Sequence, residues 1–155
     1  MAIDEKTNRF LIEQTERCLR SFTHWTGRDL FGPADSLSRR AERLFHAPFV
    51  LISHGTEPDP ILNYGNETAL ALWEMPWDEF IRTPSRLTAE PLRREERARL
   101  LEEVTRNGFI DNYEGVRISR TGRRFFIEQA LVWNLLDEAG RYCGQAATFH
   151  RWRYL

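Results

Sequence analysis

The chain has only two cysteines, Cys18 and Cys143, and they stand far apart with no CxxC or Cys/His spacing. That excludes a disulfide scaffold and a zinc ribbon, and it points to a reducing compartment, with the cytoplasm as the expected location. No apolar run is long enough to span a bilayer. The N-terminus "MAIDEKTNRF" carries acids where a signal peptide needs an apolar core, so no membrane partner is expected. An excess of charge is missing too: 22 basic residues face 23 acidic ones, so no overall field draws the protein to nucleic acid. The Arg-Arg pairs at 39–40, 93–94 and 123–124 accordingly read as solvated faces. There is no GxSxG, HExxH or Walker-type loop to organise the Asp, His and Ser residues, so no catalytic residue is assigned and the chain is not read as an enzyme. The histidines His24, His46, His54 and His150 lie at no ligand spacing and read as surface or loop residues, so no metal site is expected.

What is present is a change of hydrophobic period along one chain. Phe10, Leu11, Ile12, Cys18, Leu19, Phe22 and Trp25 recur at helical spacing, and a second helix after Gly32-Pro33 carries Leu37, Ala41, Leu44 and Phe45 before Pro48. These form an N-terminal helical extension over residues 1–48. "FVLISHG" and "ILNYG" then read as two short strands joined by the turn "TEPDP". Asn66 follows as a helix N-cap for "ETALALWEM", because its side-chain oxygen can accept from the free amides of the first turn, and Gly65 eases the abrupt corner. "PWDEFIRTPSRL" gives a short helical turn, and "AEPLRREERARLLEEVTRNG" gives a helix between Pro91 and Gly108. Three strands close the chain, "FIDNYEGVRIS", "RRFFIEQALVWNLL" and "RYCGQAATFHRW", linked by the hairpin turns "RTG" and "DEAG". The order predicts an α+β fold in which a five-stranded antiparallel sheet carries helices on one face.

This order resembles a PAS domain, and "GVRISRTGRRFFIEQALVWNLLDE" with the terminal "ATFHRWRYL", supported by "PILNYGNETALALWEM", resembles the PAS-like MEKHLA family in its free-standing bacterial form. The resemblance covers residues 49–155. It implies a sensory or ligand-responsive interaction module with a small molecule between sheet and helices, and it supplies no catalytic residues. The plant members' DNA-binding context does not carry over, since no homeodomain or zipper is present. Two cofactor types are disfavoured. No histidine lies between Gly55 and Phe149 to ligate haem from a central helix, and no cysteine stands on a central helix for a cysteinyl-flavin.

Tyr64, Trp73, Trp77, Phe80, Tyr113 and Trp133 fall in elements that would surround such a cavity, either as ligand contacts or as plain core. Arg86 and Arg117 are candidates for clamping a carboxylate. Strict alternation along "RRFFIEQALVWNLL" puts Phe125, Ile127, Gln129, Leu131, Trp133 and Leu135 on one face. Gln129 then stands alone among apolar side chains and needs either a ligand or a partner such as Gln145. The opposite face, with Phe126, Ala130 and Val132, is expected to receive the N-terminal helices and to help form a homodimer. The alternative reading is a ligand-free homodimerisation module with an aromatic-filled core.

Overall fold

The computed structural model describes residues 4–155, apart from the side chain of Leu92, so the first three residues of the N-terminal extension lie outside the description. Asp4 caps the first helix by accepting from Thr7 N at 2.7 Å, and α1 (Glu5–Thr26) runs until Gly27 turns left-handed at φ 70°. Ser36 caps α2 (Leu37–Phe45) in the same way. A bidentate contact from Arg40 to Glu16, at 2.7 and 3.0 Å, ties the two helices together.

Strands β1 (Val50–His54) and β2 (Leu62–Gly65) pair as the expected hairpin, followed by α3 (Glu67–Trp73), α4 (Trp77–Phe80), a 3₁₀ turn (Ser85–Thr88) and α5 (Pro91–Asn107). Strands β3 (Phe109–Ile118), β4 (Arg124–Leu136), β5 (Tyr142–Phe149) and β6 (Arg151–Tyr154) complete one sheet. Its order is β2-β1-β5-β4-β3, every pairing being antiparallel, so the closing meander sits beside the first hairpin as the short turns require. The sixth strand is the far end of the expected fifth: β5 places Thr148 opposite Leu131 and β6 places Arg151 opposite Glu128, one register continued past His150.

A crease crosses the sheet at that point. Asn112 in β3 and Gln129 in β4 both adopt left-handed backbone, φ 56° and 53°, and β5 gives way to β6 at His150. Side-chain alternation reverses across it. Phe125 and Ile127 share a face with Ala130 and Val132, while Leu131, Trp133 and Leu135 take the other. Strict alternation had assigned these two sets to the wrong partners, because one left-handed residue changes the phase of a period-two pattern.

The N-terminal helices therefore cover the sheet, but on Leu131, Trp133 and Leu135 rather than on Phe126, Ala130 and Val132. Trp133 Nε1 donates to Cys18 O at 3.2 Å and its ring meets Phe22 edge-on at 5.1 Å. Trp25 Nε1 donates to Asn134 O at 2.9 Å, Leu136 N to Ser21 Oγ at 2.9 Å, and Gln14 Nε2 to Ser53 Oγ at 3.0 Å. Leu11, Cys18, Leu19 and Phe22 of α1 are thus buried within the chain, while Phe10, Ile12 and Trp25 stay half-buried. Among the described residues no helix is long and apolar enough to cross a membrane.

Asn66 does more than cap α3. Fully buried, it accepts from Ala69 N at 3.2 Å and Leu51 N at 3.1 Å and donates to Leu44 O at 3.2 Å and Phe49 O at 2.8 Å. One amide joins α2, β1 and α3. A Cβ on Gly65 would lie 2.6 Å from the Phe80 ring, so the corner needs glycine for the close approach of α4.

Candidate functional site

Between α5 and the sheet lies a cavity of about 40 Å³. That is room for roughly two to four waters, or for a few heavy atoms of a ligand. Its walls are mainly apolar, from Ile52, Leu62, Leu100, Leu101, Ile127, Ala130, Val132 and Phe149. The polar groups on them are Ser53, His54, Trp73, Ser85, Thr88, Arg97, Tyr113, Arg117 and Gln145.

The sheet holds α5 over this space by its carbonyls. Asn134 Nδ2 donates to Val104 O at 3.0 Å, and Gln145 Nε2 lies within 3.1 Å of Leu101 O, Thr105 Oγ1 and Asn134 Oδ1. Because Leu101 O and Asn134 Oδ1 are acceptors, the orientation of the Gln145 amide is fixed, and its Oε1 is left buried and unpaired. His54 is also buried, and its Nδ1 donates to Gly55 O at 2.9 Å. Burial lowers its pKa and favours the neutral ring, so Nε2 is a second unpaired acceptor. Trp73 Nε1 is an unpaired buried donor in the same wall.

Two arginines enter the cavity. Arg117 is buried, with Nη1 donating to Val116 O at 2.8 Å and Nη2 to Tyr113 OH at 3.0 Å. Arg97 is half-buried, and its guanidinium donates to Ser85 Oγ. Burial, and then the neighbouring Arg117 charge, bring the Arg97 pKa down to about 9, which still leaves it charged at neutral pH. Among the described residues neither arginine forms an ion pair.

Of the residues singled out from sequence, Trp73, Tyr113, Arg117 and Gln145 line the cavity. The others do not. Gln129 sits at the crease and is exposed, because its left-handed backbone takes it out of the apolar face. Trp133 lies beneath α1, and Tyr64 is on that same side against Trp77, ring centroids 6.1 Å apart. Phe80 packs over Gly65 as core, and Arg86 pairs with Asp59 at 3.1 Å in solvent. Two residues were missed. His54 is a buried wall residue, not a surface or loop histidine, and its place one residue before Gly55 hid it. Arg97 looked like one of many charges in α5. A signal was available: Arg97, Leu100, Leu101 and Val104 follow the i, i+3, i+4, i+7 spacing of a buried stripe.

Cys18 is buried on the inner face of α1, where burial pushes its thiol up to about 12, and neither it nor Cys143 lines the cavity. Among the described residues no group of three or more His, Cys, Asp or Glu is placed to hold a metal ion.

Among solved structures, the chain is similar to a PAS domain from Colwellia psychrerythraea, at 15% identity and TM-score 0.65 over 77% of this chain and 96% of that one. It is also similar to an RNA-binding light-oxygen-voltage receptor, at 16% identity and TM-score 0.60, over 76% of this chain but only 35% of the receptor. A light-oxygen-voltage domain from a flavin-analogue study is similar at 16% identity and TM-score 0.57, over 80% and 88% of the two chains. At such identities these likenesses speak for the fold, which is PAS-like. No curated protein matches the chain. The model of the MEKHLA domain matches residues 12–154, across both the helical cover and the creased sheet, and the chain belongs to the MEKHLA domain family.

Proposed function

We propose that this chain is a sensory, ligand-responsive module that takes a small molecule into the cavity between α5 and the sheet. The observation that carries the reading is that three residues of one apolar-walled space, His54, Gln145 and Trp73, each hold a buried, unpaired polar atom, Nε2, Oε1 and Nε1 respectively. An unsatisfied buried polar atom costs about 1–3 kcal/mol, and such atoms are rare in native proteins. A core filled only by the protein's own aromatics would leave no such set around a void, which favours the ligand-binding reading over the ligand-free module.

The element suited to respond is α5. Among its described side chains only Leu100 and Val104 are buried, so little apolar packing holds it. Its seat is the amide pair Asn134 and Gln145, and Gln145 also faces the cavity. A ligand group bonded to Gln145 Oε1 would act directly on the residue that anchors the helix.

Native mass spectrometry of gently purified protein, with methyl NMR of Ile127, Ala130 and Val132 during addition of small polar compounds, tests this reading. A bound mass, or shifts confined to those methyls, supports it. An empty protein with unmoved methyls across charged and neutral compounds sinks it.

A further inference from the structure

The ligand's class can be read from the charges in the cavity, taking the cavity as the binding site as above. Arg97 and Arg117 both line it, and among the described residues no carboxylate pairs with either. Two like charges brought together away from water repel each other and lose hydration, and burial repays this only when an opposite charge is supplied. The protein's own donors around them point the same way. Ser85 Oγ accepts from Arg97, so its hydroxyl hydrogen is free to donate, and Trp73 Nε1 has no acceptor. An anion would satisfy all four groups.

The other polar wall asks for the opposite chemistry. His54 Nε2 and Gln145 Oε1 are both acceptors without donors, and both are more than nine-tenths buried. A hydroxyl suits them; an ammonium would add a third positive charge to a space that already holds two. A volume of about 40 Å³ is smaller than any hydroxyl-bearing anion, so only the smallest fit, and only as the sparsely packed α5 gives way outward.

We infer that the cavity binds a hydroxycarboxylate of two or three carbons, its carboxylate between the Arg97 and Arg117 guanidiniums and its hydroxyl donating its one hydrogen to the acceptor wall, to His54 Nε2 or to Gln145 Oε1. The pair of arginines supplies affinity for the charge, and the acceptor wall selects the hydroxyl, since an analogue without it leaves the acceptors unpaired.

Thermal melting with glycolate, L-lactate and D-glycerate as probes, beside propionate and lactamide as controls, tests the assignment. At about ten times its Kd a cognate hydroxycarboxylate raises the Tm by roughly 3–6 °C. Propionate, lacking the hydroxyl, and lactamide, lacking the charge, give much smaller shifts. Arg97→Met and Arg117→Gln each abolish the response, and Arg97→Met without ligand melts no lower than the native chain, because an unpaired charge has been removed. Equal shifts from lactamide and lactate would leave a ligand in the cavity but overturn the anion. Equal shifts from propionate and lactate would overturn the hydroxyl contact. A lactate response that survives Arg97→Met, in a variant of lowered Tm, would make that arginine structural and overturn the proposal. If no probe, charged or neutral, moves the Tm or the cavity methyls, both the ligand class and the binding role of the cavity fall.

Discussion

The two faces of the sheet are built from the same strands and finished differently. On the α1 face large side chains pack together and most of their polar ends are matched, as with Trp133 on Cys18 O, Trp25 on Asn134 O and Ser21 on Leu136 N. The exceptions on this side are Thr15 Oγ1, Arg17 Nε and Tyr64 OH, which are buried without a partner. On the α5 face small residues such as Ala130 and Ala147 border a void, and His54, Gln145 and Trp73 leave polar atoms open to it. One face is finished by the chain itself, while the other has polar valences left for something else. Close packing and the cavity are thus separated by the thickness of a single sheet.

The strongest test of this contrast is Trp133→Ala. The side chain is fully buried under α1, so its loss is expected to cost about 3–5 kcal/mol in chemical denaturation. A cost below about 1 kcal/mol would mean that the α1 face is not the tightly packed one. Next comes Asn66→Ala. A lost N-cap alone costs about 1 kcal/mol, but this amide serves four backbone groups in three elements, and stranding them should bring the loss to about 3 kcal/mol. A measured loss close to 1 kcal/mol would reduce Asn66 to a simple cap.

The sharpest comparison uses two adjacent residues. Both residues touch the cavity, but Ala146 is also part of the α1-side core and Ala147 is not, so Ala146→Val should cost about 1–3 kcal/mol by overpacking, while Ala147→Val should stay within about 1 kcal/mol of neutral or stabilise. Equal costs in thermal melts would contradict the difference between the faces. The smallest effect concerns pH. Burial lowers the His54 pKa, so the folded state resists protonation that the unfolded chain accepts near pH 6.5. The contribution of His54 is therefore full above about pH 6.5 and is lost as pH falls from there through the lower folded value. His54→Gln should accordingly lose less Tm than the native chain between about pH 7.5 and about pH 5.5. Parallel pH profiles would show that the ring is not held neutral.

Much of this architecture is legible in the residues because it rests on local chemistry. Asn66 before strong helix formers, Pro91 and Gly108 around a charged helix, and turns too short for crossovers fix the element order and the antiparallel meander. The site is half legible. Trp73, Tyr113, Arg117 and Gln145 were found because their elements were placed correctly. Gln129 and Trp133 were misplaced because alternation was carried through a residue whose backbone reverses it, and nothing in "IEQALV" marks a left-handed glutamine. His54 and Arg97 acquire their roles only through burial by distant elements, which residue type alone does not report.

The crease also governs which changes of length the sheet can accept. Asn112 in β3, Gln129 in β4 and His150 at the β5–β6 break mark the crease, so the arms between each pair and the turn that joins them must stay matched. A single residue added to one arm would shift its pairing and move every side chain beyond it to the other face. Insertions and deletions in the meander should therefore occur either in the turns around Gly122 and Gly140 or as compensating pairs in facing strands. Relatives that differ in length there would be aligned correctly by counting outward from the crease, not inward from the ends.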